Sequence, residues 1–113
     1  MLTSTFAEGG GFAKTTPEQP LPDVQFHFYP SKIERKMTLK SILGHGYSLQ
    51  TCQLRPRSRG NVRLRSANPR ESLLIDPAYL TDEDDMVTLV NGVKLARKLL
   101  STDAFKPVRG WVS

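Results

Sequence analysis

The stretch from Thr81 to Leu100 constrains this chain of 113 residues most, because it reads as one long helix with both ends marked. Thr81 or Asp82 can cap its N-terminus. Asp82, Glu83, Asp84 and Asp85 occupy the first turn, and Lys94, Arg97 and Lys98 stand near the end, so the charges complement the helix dipole. Met86, Leu89, Val90, Val93, Ala96 and Leu100 form one apolar stripe at helical spacing. A helix with such a stripe must lay it on a sheet or on other helices, so the rest of the chain has to supply that surface.

The preceding residues alternate instead. In Val24 to Tyr29, Val24, Phe26 and Phe28 fall on one face and Gln25, His27 and Tyr29 on the other, and Pro30 ends the run. Tyr47 to Leu54 predicts a second strand, entered through Gly44-His45-Gly46. Arg57-Ser58-Arg59-Gly60 predicts the turn of a hairpin, with Gly60 in the left-handed position, and Asn61 to Arg65 the returning strand. Asn68-Pro69 marks another turn, and Leu73-Leu74-Ile75 a short apolar run. Residues 31–44 are basic, with apolar residues interspersed as in a short helix. Residues 1–23, with three glycines and three prolines, read as irregular. The predicted class is α+β: an antiparallel sheet within 24–65 that contains a hairpin, and a C-terminal helix over about 82–100 packed on one face.

Composition bounds what such a chain can do. Apolar residues make up 38% and charged residues 24%, ordinary for a soluble globular domain. No run approaches the ~20 apolar residues of a membrane span. The start, Met1 to Phe6, lacks the basic and apolar regions of a signal peptide. The single cysteine, Cys52, excludes an internal disulfide and fits a reducing, cytoplasmic compartment. Its place in an alternating run predicts a small buried filler. The net charge of +5 allows an acidic partner without requiring one.

The chemistry-bearing candidates are few. Gly9-Gly10-Gly11 is preceded by only eight residues, followed by Thr16-Pro17, and has Lys14 where a dinucleotide fingerprint needs a third glycine, so a tight backbone crossing is expected. Arg55, Arg57, Arg59, Arg63 and Arg65 could neutralise phosphates, but no aromatic platform or helix-turn-helix accompanies them. They read as a solvated face or internal ion pairs, and nucleic acid stays the alternative partner of a stand-alone basic binding module. His27 and His45, without companion ligands, support no metal site; His27 is a hydrogen-bonded histidine or a substrate-facing group. Glu8, between aromatics and glycines, is an exposed loop charge or an anion facing a cationic or hydroxylated ligand. No catalytic or cofactor-binding constellation can be assembled.

Six segments together carry a family resemblance. They are Ala7-Glu8-Gly9-Gly10-Gly11-Phe12, Pro22 to Phe28, Gly44 to Leu49, Leu54 to Leu64 with its Arg-Pro-Arg-Ser-Arg-Gly core, Ile75-Asp76-Pro77-Ala78-Tyr79-Leu80, and Gly92 to Arg97. In this order and spacing they resemble the middle-to-late portion of glucose-methanol-choline (GMC) oxidoreductases, in the choline and alcohol dehydrogenase branch. The resemblance implies a fragment of the substrate-binding domain of an FAD-dependent enzyme that oxidises an alcohol to an aldehyde by hydride transfer to flavin. It implies that the catalytic pair and the dinucleotide fingerprint both lie outside this chain, so no cofactor is expected on it and none of its residues is catalytic. By likeness to choline-oxidising relatives, Glu8 would face the substrate's quaternary ammonium, and His27 would join it on the substrate side. The rest of the flavoprotein would be its partner, and bare surfaces could drive oligomers.

Overall fold

Alternation alone places the first well-formed strand. The computed structural model, which describes residues 6–31 and 46–110, has β2 at Val24–Tyr29, where the pattern predicts it. It is the centre of a three-stranded antiparallel sheet, between β1 (Gly9–Ala13) and β3 (Ser48–Gln53). Gly9 lies opposite Phe28 and Ala13 opposite Val24 on one side; Gln53 lies opposite Val24 and Ser48 opposite Tyr29 on the other. The readings for residues 32–45, a short helix and the His45 loop, lie outside the described residues.

Residues 9–13 are therefore a strand and not the irregular backbone that their glycines suggest. Glycine has little strand preference of its own, but pairing with β2 overrides it. Gly10 is needed for proximity: a Cβ there would sit 2.6 Å from the Phe26 carbonyl oxygen. The β1–β2 connection is tied internally. The buried Asp23 accepts hydrogen bonds from the Thr15 backbone N–H at 2.7 Å and the Thr15 hydroxyl at 2.5 Å.

Helix α1 runs from Glu83 to Leu100. Asp82, in extended conformation, caps it by accepting from the Asp84 N–H at 3.0 Å, while Arg97 and Lys98 occupy the last turn. The helix packs on β3 and, to a lesser extent, β2. Val24, Phe26 and Ala96 form the buried core, flanked by Ala13, Leu49 and Leu95. Gly92 is the point of closest approach: a Cβ there would lie 2.7 Å from the Thr51 methyl and 3.0 Å from a Val24 methyl. The buried side of the helix is thus Asp85, Gly92 and Ala96, rotated from the predicted stripe, and Met86, Val90 and Val93 remain exposed. A 3-10 turn at Asp103–Phe105 follows. Phe105 packs against Tyr47 and Phe28, with ring centroids 5.4 and 6.0 Å away.

The predicted hairpin between β3 and the next strand does not form. Arg55 takes a left-handed conformation (φ 54°) and redirects the chain away from the sheet. Strand β4 (Asn61–Arg63) pairs instead with β5 (Leu74–Asp76) as a separate two-stranded ribbon, Val62 opposite Ile75. The Asn68-Pro69 turn closes it, with the Glu71 N–H donating to the Asn68 carbonyl at 3.1 Å. Gly60 is not left-handed; it is glycine because a Cβ would lie 2.2 Å from the Asp76 carbonyl oxygen. Ala78 and Leu80, at φ 46° and 58°, mark the return to the helix. The radius of gyration, 18.2 Å, exceeds the roughly 13 Å of a compact domain of about this length. Among the described residues, no helix is long and apolar enough to cross a membrane.

Candidate functional site: the open face of the sheet

One face of the three-stranded sheet is filled by the helix. Strand alternation sends the remaining side chains the other way: Phe12 from β1, Gln25, His27 and Tyr29 from β2, Gln50 and Cys52 from β3. This second face carries no helix among the described residues. Phe12 is 64% exposed on it, and His27 and Tyr29 are half-buried. Cys52 is exposed there opposite Gln25, which corrects the expectation of a buried filler. The reason is register: Leu49, Thr51 and Gln53 share the helix side, so the residues between them point away.

The two residues read as substrate-side candidates lie at the Tyr29 end of this face. His27 pairs across the sheet with Gly10 and Gln50, and its ring lies 6.4 Å from that of Tyr29, nearly parallel at 25°. The neighbouring β1 position is a glycine, so no side chain covers the histidine from that strand. Tyr29 in turn meets Phe6 at 4.9 Å. Glu8, exposed, directly precedes β1, and its N–H donates to the Phe28 carbonyl at 3.1 Å. The structure therefore puts Glu8, just before β1, and His27, in β2, at the same end of the sheet, where the rings of His27, Tyr29 and Phe6 form a row. Stacked rings and a carboxylate are the groups that recognise a small organic cation; among the described residues, no nucleophile hydrogen-bonded to a base stands on this face. The other histidine of interest, His45, lies outside the described residues.

The strongest polar cluster was not apparent from the motifs. Asp85, 1% exposed, accepts four hydrogen bonds: from Gln53 Nε2, the Arg57 N–H and the Ser58 N–H, each at 2.8 Å, and from the Ser58 hydroxyl at 2.5 Å. The Ser58 hydroxyl above all, then the Arg57 and Ser58 backbone donors and the Gln53 amide, hold its carboxyl below the ordinary carboxylate range against the opposing effect of burial. The Asp82 N–H also donates to Ser58 Oγ, at 3.1 Å. Beside this knot lies a polar cleft of about 330 Å³, lined in part by Thr15, Asp23, Arg57, Asp85 and Asn91. A sequence signal for it existed: Asp85, Gly92 and Ala96 recur at helical spacing, and a glycine at mid-helix marks close packing.

Four arginines of the predicted cluster are engaged with neighbouring groups, Arg65 through its Nε–H to the Ser72 carbonyl at 3.3 Å. Arg57 pairs with Asp84, Arg55 donates to the Pro22 carbonyl, and Arg59 donates to the Pro56 and Ser58 carbonyls at 2.6 and 2.9 Å. Among the described residues, no group of three or more His, Cys, Asp or Glu is placed to hold a metal ion. The three glycines lie in a paired strand with no helix following, so the described residues do not form a dinucleotide cradle.

Comparison with known proteins places these features in a family. Residues 56–112 match the GMC oxidoreductase family model. The chain is 46% identical to an alcohol dehydrogenase (acceptor) of Pseudomonas putida over 98 residues, which are 87% of this chain and 18% of that protein. It is 39% identical over 106 residues to the mitochondrial choline dehydrogenase of Mus musculus, covering 91% and 17% respectively. It is 37% identical over 105 residues to an oxygen-dependent choline dehydrogenase of Brucella ovis, covering 91% and 19%. The chain thus spans under a fifth of the length of these relatives.

Proposed function

The chain belongs to the GMC oxidoreductase family, and from that premise we propose that it is the substrate-side portion of an FAD-dependent enzyme that oxidises a primary alcohol, choline among the candidates, to an aldehyde. The observation that carries this reading is the open sheet face. A small-molecule pocket needs apolar walls with a few placed polar groups. Phe12, Tyr29 and Phe6 offer the former, and Glu8 and His27 the latter, on a face that the helix leaves uncovered.

In this reading the flavin, held by polypeptide outside the described residues, supplies the redox chemistry. This chain's own residues bind and orient. Glu8 attracts a cationic or hydroxylated substrate, the aromatic row excludes water around it, and His27 accepts or donates a hydrogen bond to its polar end. On this reading the chain's part is binding and orientation, and the chemical step belongs to the whole flavoprotein.

Flavin absorbance on the purified chain, followed by titration with FAD, tests the division of labour. Absence of bound flavin and of saturable binding is the expected result. Stoichiometric FAD binding would overturn it, since the cofactor site would then lie within these residues.

A further inference from the structure

Strands β4 and β5 have no interior. Every one of their six residues is exposed. Val62 and its partner Ile75 are 63% and 68% exposed, and Leu64 and Leu73, just beyond the paired positions, are 75% and 47% exposed. A two-stranded ribbon is marginal in water unless something packs on it, and no other described element packs substantially on this one. Its base is nevertheless fixed, because Arg57 and Ser58, just before β4, are bound by the buried Asp85. The ribbon is therefore an apolar surface held out in a set direction.

We propose that the β4–β5 ribbon is a docking arm, and that its apolar face is covered by a region of GMC oxidoreductase polypeptide outside the matched hundred or so residues, with an apolar centre and an acidic rim. This rests on the functional reading above. The length of the relatives supports it: over four-fifths of each lies outside the match. Charge supports it too. Between residues 59 and 76 the ribbon carries Arg59, Arg63, Arg65 and Arg70 against Glu71 and Asp76. That positive excess would repel a second copy of the same ribbon and favours an acidic surround. An exposed apolar patch of this kind marks an interaction site.

Grafting tests it. The matched segment of the Pseudomonas putida alcohol dehydrogenase (acceptor) is replaced by its counterpart from this chain, and trypsin cleavage at Arg63, Arg65 and Arg70 is followed in the graft and in the free 113-residue chain. Cleavage in the graft should be slower by about tenfold or more, because covering the ribbon suppresses its local opening. Ile75→Glu should abolish that protection and lower the Tm of the graft, while leaving the Tm and helical signal of the free chain unchanged. Equal cleavage in both proteins, or an indifferent Ile75→Glu graft, overturns the proposal. So does a free chain that sediments as a dimer dissociated by Ile75→Glu, which would make the occupant a second copy. An unaltered graft that fails to fold or to oxidise alcohol overturns the functional reading and the docking arm with it.

Discussion

The helix–sheet unit and the β4–β5 ribbon use similar apolar residues to opposite effect. Val24 in β2 is fully buried, whereas Val62 in β4 is 63% exposed. Both stand opposite another residue in an antiparallel ladder. What differs is the second layer. The sheet has α1 across one face, so Val24 and Phe26 are enclosed between strands and helix. The ribbon has no such cover among the described residues, and its ladder alone encloses nothing. Strand pairing satisfies backbone groups, but a core needs two facing surfaces.

The sharpest way to break this contrast is to remove a large side chain enclosed in the first region. Phe26→Ala should destabilise the chain by about 3–5 kcal/mol, read from urea unfolding, which is a large share of a small domain's total stability. Next comes the knot between the regions. Asp85→Asn should lower the Tm at neutral pH, because the charged acceptor of four hydrogen bonds is gone. The folded carboxyl is held below its ordinary value of 3.8, so its contribution is present above that pH and fades as pH falls toward the folded value. Wild type should therefore lose stability below about pH 4 and converge on Asp85→Asn, whose profile stays flatter there. Parallel acid losses in the two proteins would remove Asp85 from this role.

Gly92→Ala should destabilise by about 1–3 kcal/mol through overpacking against Thr51 and Val24, outweighing the roughly 1 kcal/mol that alanine gains over glycine in a helix. A stabilised variant would mean the helix can lift without loss. The smallest effect belongs to the ribbon. Ile75→Ser in the free chain should move stability by no more than about 0.5 kcal/mol, because the side chain lies largely in solvent. A loss comparable to that of Phe26→Ala would show that the ribbon has a core of its own.

What the sequence makes legible follows from how local each signal is. The helix is announced by its cap, its charges and its period, all within twenty residues, and β2 by alternation ended at Pro30. The facing of His27 follows from that same alternation. Partner choice is not local. A turn-like Arg57 to Gly60 favours pairing with the preceding strand, but the backbone donors of Arg57 and Ser58 go to Asp85, nearly thirty residues away. The glycine strand β1 is likewise visible only through its neighbour, since its residues carry almost no strand preference. The tilt of α1 escaped a purely apolar count, because its closest contact is a glycine and its most buried side chain a carboxylate. Glu8 and His27 could be nominated singly; that they lie at the same end of the sheet needed the pairing of β1 with β2.

The chain leaves the sheet at Arg55 and rejoins the helix after Leu80, and both crossings are left-handed. Ser58 and Asp82 are hydrogen-bonded to each other, so departure and return meet at one point. Everything between them is a closed excursion whose tip, at Asn68-Pro69, lies away from that junction. Doubling the length of such an excursion adds only about 0.6 kcal/mol to the entropy of closing it. By that arithmetic the segment can lengthen or shorten without disturbing the sheet, and its outer surface can change while the sheet face that carries His27 stays fixed.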